Sequence, residues 1–217
     1  MASDGGMRLD AGGRLSDVAY EQLRDLIVRL EIPPGAPIVE DQVSQKLGVG
    51  LTPIRDALKR LTFERLVTIY PRRGTFASDI NIADDQWLAE IRGELEGLAA
   101  ALAAERATEQ QRKKLLDLAS QMQSVPSSAE FTELDSVFHR TIYAASHNPV
   151  LEGALGQYFN LALRIWNFGV KNFARESIIE DDFVVMATAI SNSDAEAARN
   201  AMRKHIQYSR IIFKKNQ

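Results

Sequence analysis

The chain has 217 residues, enough for one large domain or two modest ones, and its 45% hydrophobic and 25% charged residues are the proportions of an ordinary globular protein. It has no cysteine, which excludes disulfides and thiolate metal sites, and no stretch approaches the roughly 20 consecutive apolar residues of a membrane span, so a cytoplasmic protein with no membrane partner is expected. A net charge of −3 argues against a protein coated in nucleic acid, but the charge is uneven. Residues 1–78 hold 11 basic against 10 acidic side chains, and residues 79–217 hold 15 against 19. Between 50 and 74, Arg55, Lys59, Arg60, Arg65, Arg72 and Arg73 face only Asp56 and Glu64. A local basic patch of this kind suits salt-dependent contact with phosphates.

The opening MASDGGMRLDAGG is polar and Gly-rich and lacks the apolar core of a signal peptide. Residues 1–13 are therefore expected to be a disordered tail. Leu15 to Leu30 carries Val18, Leu23, Ile27 and Leu30 at helical spacing, with Ser16 as its N-cap and Ile32-Pro33-Pro34-Gly35 as its stop. A short helix from about Glu40 to Leu47 puts Val43 and Leu47 inward, and Gly48-Val49-Gly50 makes a turn. Thr52 is expected to cap a third helix with Pro53 at its first position, where the missing N–H costs nothing. Ile54, Leu58 and Leu61 face inward on it. Leu66 to Tyr70 and Thr75 to Ala77 read as two short strands around a Pro71-Arg72-Arg73-Gly74 turn. Helix, tight turn, helix and basic hairpin in this order make a shape for a DNA major groove.

Residues 14–78 are thus expected to be a winged helix-turn-helix DNA-binding domain and 79–83 a linker. Residues 84–217 show only helical patterns and are expected to form an all-α bundle of six helices, with seven as the alternative count. In the first, Trp87, Leu88, Ile91, Leu95, Leu98 and Leu102 are expected inward. The second uses Leu115, Leu116 and Leu118, and a loop with Pro126 follows. The third carries Phe131, Leu134, Phe138, Ile142 and Ala145. The fourth, about Val150 to Phe173, is apolar over much of its circumference, which suggests a central helix. The fifth carries Ile179, Phe183, Met186 and Ile190, and the sixth runs to about Phe213.

Three groups of side chains carry chemistry. Thr52 and Arg55 stand at the leading end of the second helix of the turn, with Lys59 beyond, and Arg72, Arg73 and Gly74 form the hairpin tip. The first set faces base edges, and the tip suits phosphate or a minor groove. Asp135 and His139 are four apart on one helix, and His205 lies on an apolar stripe of another. One carboxylate and two imidazoles facing a bundle core suit a divalent metal, and the same spacing serves equally for satisfied core residues. Arg92, four residues before Glu96, reads either as a surface ion pair or as a carboxylate clamp for an organic acid. Asn160, Arg164 and Asn167 form a polar strip on the fourth helix, which needs polar partners, from an effector or another helix.

Leu15 to Phe76 resembles the winged helix-turn-helix domain of the GntR family of bacterial transcription regulators. The resemblance rests on Pro34-Gly35, Leu47-Gly48-Val49, Thr52-Pro53-Ile54-Arg55-Asp56-Ala57-Leu58, Leu61 and Arg73-Gly74. The helical half resembles the FCD-type effector domain of the family's FadR-like branch, and six helices suit its VanR-like variant. The resemblance implies a ligand-responsive regulator that binds an operator in double-stranded DNA as a homodimer. It also implies a small-molecule effector, a carboxylate. Two departures stand out. Gly50-Leu51 replace a Ser-Arg pair, whose arginine often reads a guanine, and Asp41 stands where the family sometimes has a basic residue.

The family's metal-binding members use Asp-x3-His and two later histidines. Here Asp135, His139 and His205 match, while Phe183 stands where a further His is expected. Three ligands suffice for an open zinc or nickel site. No nucleophile–base pair, Gly-rich phosphate loop or HExxH motif points to catalysis. The alternatives are a metal-dependent helical-bundle enzyme built on Asp135, His139 and His205, and a winged-helix adaptor for protein contact.

Overall fold

The computed structural model describes residues 6–124, 128–169 and 180–215. The expected loop at Pro126, the end of the fourth bundle helix at Phe173, and Ile179 lie outside the described residues. The chain divides into two compact units: Met1–Asn81 with Leu163–Phe168, and Ile82–Ala162 with Gly169–Gln217.

The first unit contains α1 (Gly6–Val28), α2 (Glu40–Leu47), α3 (Leu51–Phe63), β1 (Val67–Tyr70) and β2 (Gly74–Ala77). Helix α1 begins ten residues before Ser16, inside the stretch expected to be a tail, so Ser16 caps nothing. Good helix formers such as Met7, Arg8, Leu9 and Ala11 continue the pattern there. Its buried face is Ala19, Tyr20, Leu23, Ile27 and Val28, while Val18, expected inward, is 42% exposed. Small Ala19 lets α1 lie close, and Tyr20 reaches a buried carboxylate: its hydroxyl donates to Glu64 at 2.9 Å. Helix α2 ends at Gly48, whose φ of 66° is the left-handed closing geometry that glycine adopts without strain. Helix α3 starts at Leu51 with Gly50 as its N-cap, so Thr52 and Pro53 sit inside the first turn rather than at the cap. Proline is tolerated there because first-turn N–H groups have no helical acceptor.

Ile54, Ala57, Leu58 and Leu61 bury the inner face of α3. Strands β1 and β2 pair antiparallel from Val67↔Ala77 to Tyr70↔Gly74. The ribbon gains a third partner at Pro37, which bridges Phe76, and Ile38 N–H donates to Thr75 O at 2.8 Å. At the tip Arg73 N–H closes onto Tyr70 O at 3.1 Å with Pro71 second and Arg72 third in the turn. Arg72 has φ 64°, the positive value that a type II turn requires at its third position.

The remaining described helices are α4 (Asp84–Arg106), α5 (Glu109–Met122), α6 (Ser128–Ala145), α7 (Pro149–Gly169), α8 (Glu180–Ser191) and α9 (Ala195–Lys215), all of the second unit except Leu163–Phe168 of α7. Helix α4 corrects the expected face. Trp87 and Ile91 are 54% and 42% exposed, and the buried residues are Leu88, Glu96, Gly97 and a run of alanines. The small face admits α9 closely: a Cβ built on Gly97 would stand 3.1 Å from Arg203 Cγ. Leu116, expected inward, is exposed on α5, whose start carries a reciprocal Thr108–Gln111 capping box. Phe131, Phe138 and Ile142 of α6, Leu155 and Phe159 of α7, Phe183, Met186 and Ile190 of α8, and Met202 and Ile206 of α9 form the core.

Candidate functional site

The outer face of α3 presents Thr52, Arg55, Asp56 and Lys59 to solvent. Most of its cations are already paired. Arg55 Nε donates to Glu40 Oε2 at 2.7 Å, and Lys59 Nζ stands 3.5 Å from Asp56 Oδ1. Arg60 lies 3.6 Å over the Tyr20 ring and pairs with Asp17 and Glu64, which takes it out of the free basic patch. The hairpin tip differs. Among the described residues Arg72 and Arg73 have no carboxylate partner, and both are exposed beside Gly74. Arg73 lies 5.5 Å from the Tyr70 ring, which props it without neutralising it.

Within the second unit, four helices bring charged groups into the core. Arg92 and Glu96 come one turn apart on α4, and Arg92 Nε donates to Glu96 Oε1 at 2.5 Å. Glu96 is fully buried and Arg92 partly so, which is not the surface pair one reading expected. Glu96 Oε2 stands 2.7 Å from His139 Nδ1 of α6. The other imidazole nitrogen, Nε2, faces Asp135 Oδ1 at 3.5 Å. The His205 ring of α9 lies 5.4 Å from the His139 ring, and the ligand atoms of Asp135, His139 and His205 all fall within 4.8 Å of one another. Phe183 of α8 stands edge-on to His205 at 4.8 Å and closes the side where a fourth donor would sit. Asp182, next to Phe183, is buried, and its Oδ2 lies 4.0 Å from His205 Nδ1 without a hydrogen-bond partner.

Electrostatics separates the two imidazoles. Burial alone would depress the His139 pKa, but the Glu96 and Asp135 carboxylates outweigh it and raise it to about 9. Burial and the neighbouring His139 cation push His205 down to about 4. Burial opposes ionisation of Glu96, yet Arg92 and then His139 hold it down at about 2, and the same balance lowers Asp135. At neutral pH two cations, Arg92 and His139, therefore face two carboxylates, Glu96 and Asp135, and His205 is neutral.

The effector residues expected from sequence each have partners of their own in the structure. Arg92 joins the cluster and lies 5.3 Å from the Phe159 ring. Asn160 is buried in the same unit, but its Oδ1 accepts from Arg140 Nη2 at 2.6 Å. Arg164 clusters with the first unit instead, where Nη2 donates to Ser78 O at 2.6 Å, and burial lowers its pKa to about 10. Sequence reasoning missed Glu96 as a buried member and Tyr143, whose hydroxyl lies 3.5 Å from His139 Nδ1. Only the i,i+4 spacing of Glu96 to Arg92 and of Tyr143 to His139 hinted at either.

Comparison with known proteins adds independent findings. The family described as bacterial regulatory proteins, gntR family, matches residues 15–77, and the FCD domain matches residues 87–208. A regulator described as an uncharacterized HTH-type transcriptional regulator in an unstable DNA locus of Streptomyces ambofaciens is 30% identical over 200 residues, covering 87% of this chain and 80% of its own. The HTH-type transcriptional repressor RspR of Escherichia coli is 26% identical over 191 residues, covering 87% and 84%. Among solved structures, Escherichia coli McbR/YncC shares the fold with a TM-score of 0.79 at 23% identity, covering 93% of this chain and 97% of its own.

Proposed function

The chain belongs to the gntR family of bacterial regulatory proteins and is a transcription regulator with an FCD effector-binding domain, and on that premise we propose that it works as a cytoplasmic homodimer on a pseudo-palindromic operator and responds to a small organic acid held in the helical unit. Two recognition helices and two wings would meet half-sites related by the dimer axis. The observation that carries the effector reading is the Arg92–Glu96–His139–Asp135 network, with Glu96 and His139 buried and Arg92 and Asp135 partly so. Burying charges is costly and a helical bundle does not need them. The Arg92 guanidinium matches a carboxylate bidentately, so an entering organic acid would compete with Glu96 for it.

A divalent cation fits the residues present. Asp135, His139 and His205 would hold it, with three donors within reach of one point, His205 already neutral and Glu96 orienting His139 from behind. Zinc or nickel bound there would supply a Lewis-acidic attachment for a carboxylate. Phe183 limits the set to three protein donors.

The effector would act by binding one arrangement of the DNA-binding heads more tightly than another. The test is fluorescence anisotropy of the protein with DNA from beside its own gene, titrated with a panel of mono- and dicarboxylic acids. One class is expected to shift DNA affinity by about 5- to 150-fold, the usual range of allosteric coupling, and Arg92→Ala is expected to abolish that shift. A complex indifferent to every acid would refute the effector reading.

A further inference from the structure

We propose that Glu40 is a positioning residue for base readout, holding Arg55 so that its free edge meets a guanine. The inference rests on the DNA-binding reading of the helix-turn-helix and names how one contact in it is set.

Arg55 is the fifth residue of α3, in the leading part of the helix that enters a major groove. Glu40 is the first residue of α2, fifteen positions earlier, and its Oε2 accepts from Arg55 Nε at 2.7 Å. The contact takes one of the five guanidinium donors and fixes the plane of the fork. The contact is made through Nε, which leaves the two Nη groups to other partners, and a terminal Nη pair is the fork that grips guanine O6 and N7. The pair is more than half exposed on the arginine side. Such surface pairs add little to stability, so its effect falls on side-chain direction.

Charge argues for a base rather than a phosphate at Arg55. A carboxylate 2.7 Å from the guanidinium cancels its attraction for a distant phosphate and would repel one that came close. The acceptors on a guanine edge are neutral and tolerate the carboxylate. Lys59 is balanced in the same way by Asp56, whereas among the described residues the hairpin arginines have no carboxylate partner. The two parts of the domain thus divide the work, α3 with paired cations for bases and the hairpin with unpaired cations for phosphate. Leu51 stands one turn before Arg55 and brings no donor of its own, so Arg55 is the arginine at the leading end of the exposed face.

The test selects binding sites from a randomised duplex library with the full-length wild type, Arg55→Ala, Glu40→Asp and Glu40→Gln. The wild type is expected to enrich a motif with a guanine-dominated position in each half-site, and Arg55→Ala to flatten that position. Loss of a bidentate contact is read as about a 5- to 150-fold fall in discrimination against the other bases. Glu40→Asp keeps the charge but loses one methylene of reach, and is expected to flatten the same position and no other. Glu40→Gln keeps an acceptor oxygen at the same reach without the charge, and is expected to retain most of the preference. If Asp retains the preference and Gln loses it, Glu40 acts through charge and the proposal is overturned. A motif unchanged in both Glu40 variants also overturns it. A wild type that enriches no motif overturns the DNA-binding reading together with this step.

Discussion

Raising the pH of the metal-free protein from 6.5 to 9 is predicted to cost about 3 kcal/mol of stability through His139, since each unit of pKa difference is worth about 1.36 kcal/mol. Its folded pKa is about 9 against an ordinary 6.5. The folded state therefore holds a proton that the unfolded state loses first. The contribution is fully present below 6.5 and is lost as pH rises through about 9. His205 has the opposite sign, with a folded pKa near 4. Its contribution is present above 6.5 and lost as pH falls through about 4, again by about 3 kcal/mol. The two arms meet in a maximum near pH 6.5. Glu96, held down first by Arg92 and then by His139, keeps its contribution down to its ordinary 4.5 and loses it as pH falls through about 2, below the range of this titration. Urea unfolding followed by circular dichroism, with chelator present, between pH 4.5 and 9 measures both arms. His139→Gln should remove the alkaline arm and His205→Gln the acid arm. A wild type whose stability is flat from pH 6.5 to 8.5, or an alkaline arm that survives in His139→Gln, would refute the assignment.

Three further outcomes follow from the same structure. Zinc binding at pH 7.5 should release about one proton, because His139 must lose its proton to ligate while His205 is already neutral; calorimetry in buffers of differing ionisation enthalpy reads the number, and zero release would contradict it. Phe183→His should tighten metal binding by on the order of tenfold or more, since it restores a fourth nitrogen donor beside His205, as a competition titration against a chromophoric chelator would show. Arg65 follows α3 with φ 63°, a left-handed backbone that costs a non-glycine residue, so Arg65→Gly should raise unfolding stability by roughly 1 kcal/mol; a loss of stability in urea titrations would show that its side-chain contacts outweigh the strain.

The helix-turn-helix was legible in sequence because its punctuation is local. Gly48 closes α2 with the positive φ its lack of a side chain permits, and Pro53 marks the first turn of α3. The Pro71–Gly74 turn marked the two strands, which pair from Tyr70↔Gly74 to Val67↔Ala77. The inner face of α4 was not legible, because the expectation placed the large side chains Trp87 and Ile91 inside. Close approach of α9 selects the alanines and Gly97 instead. Asp135 and His139 were visible because i,i+4 spacing survives any packing, and His205 because it interrupts an apolar stripe. Glu96 looks the same in sequence whether its pair with Arg92 is on the surface or in the core; only its position behind His139 decides. The Glu40–Arg55 pair joins two helices across fifteen residues, and no periodicity encodes such a contact.

The most direct test of the account is the salt dependence of binding to DNA from beside the protein's own gene, measured for the wild type and for Arg72→Ala/Arg73→Ala. The account predicts sequence-selective binding whose logarithm falls linearly with log salt, and a double variant with a slope shallower by about 2, near 0.9 for each phosphate contact removed. Binding that ignores salt, or a double variant with an unchanged slope, would contradict it.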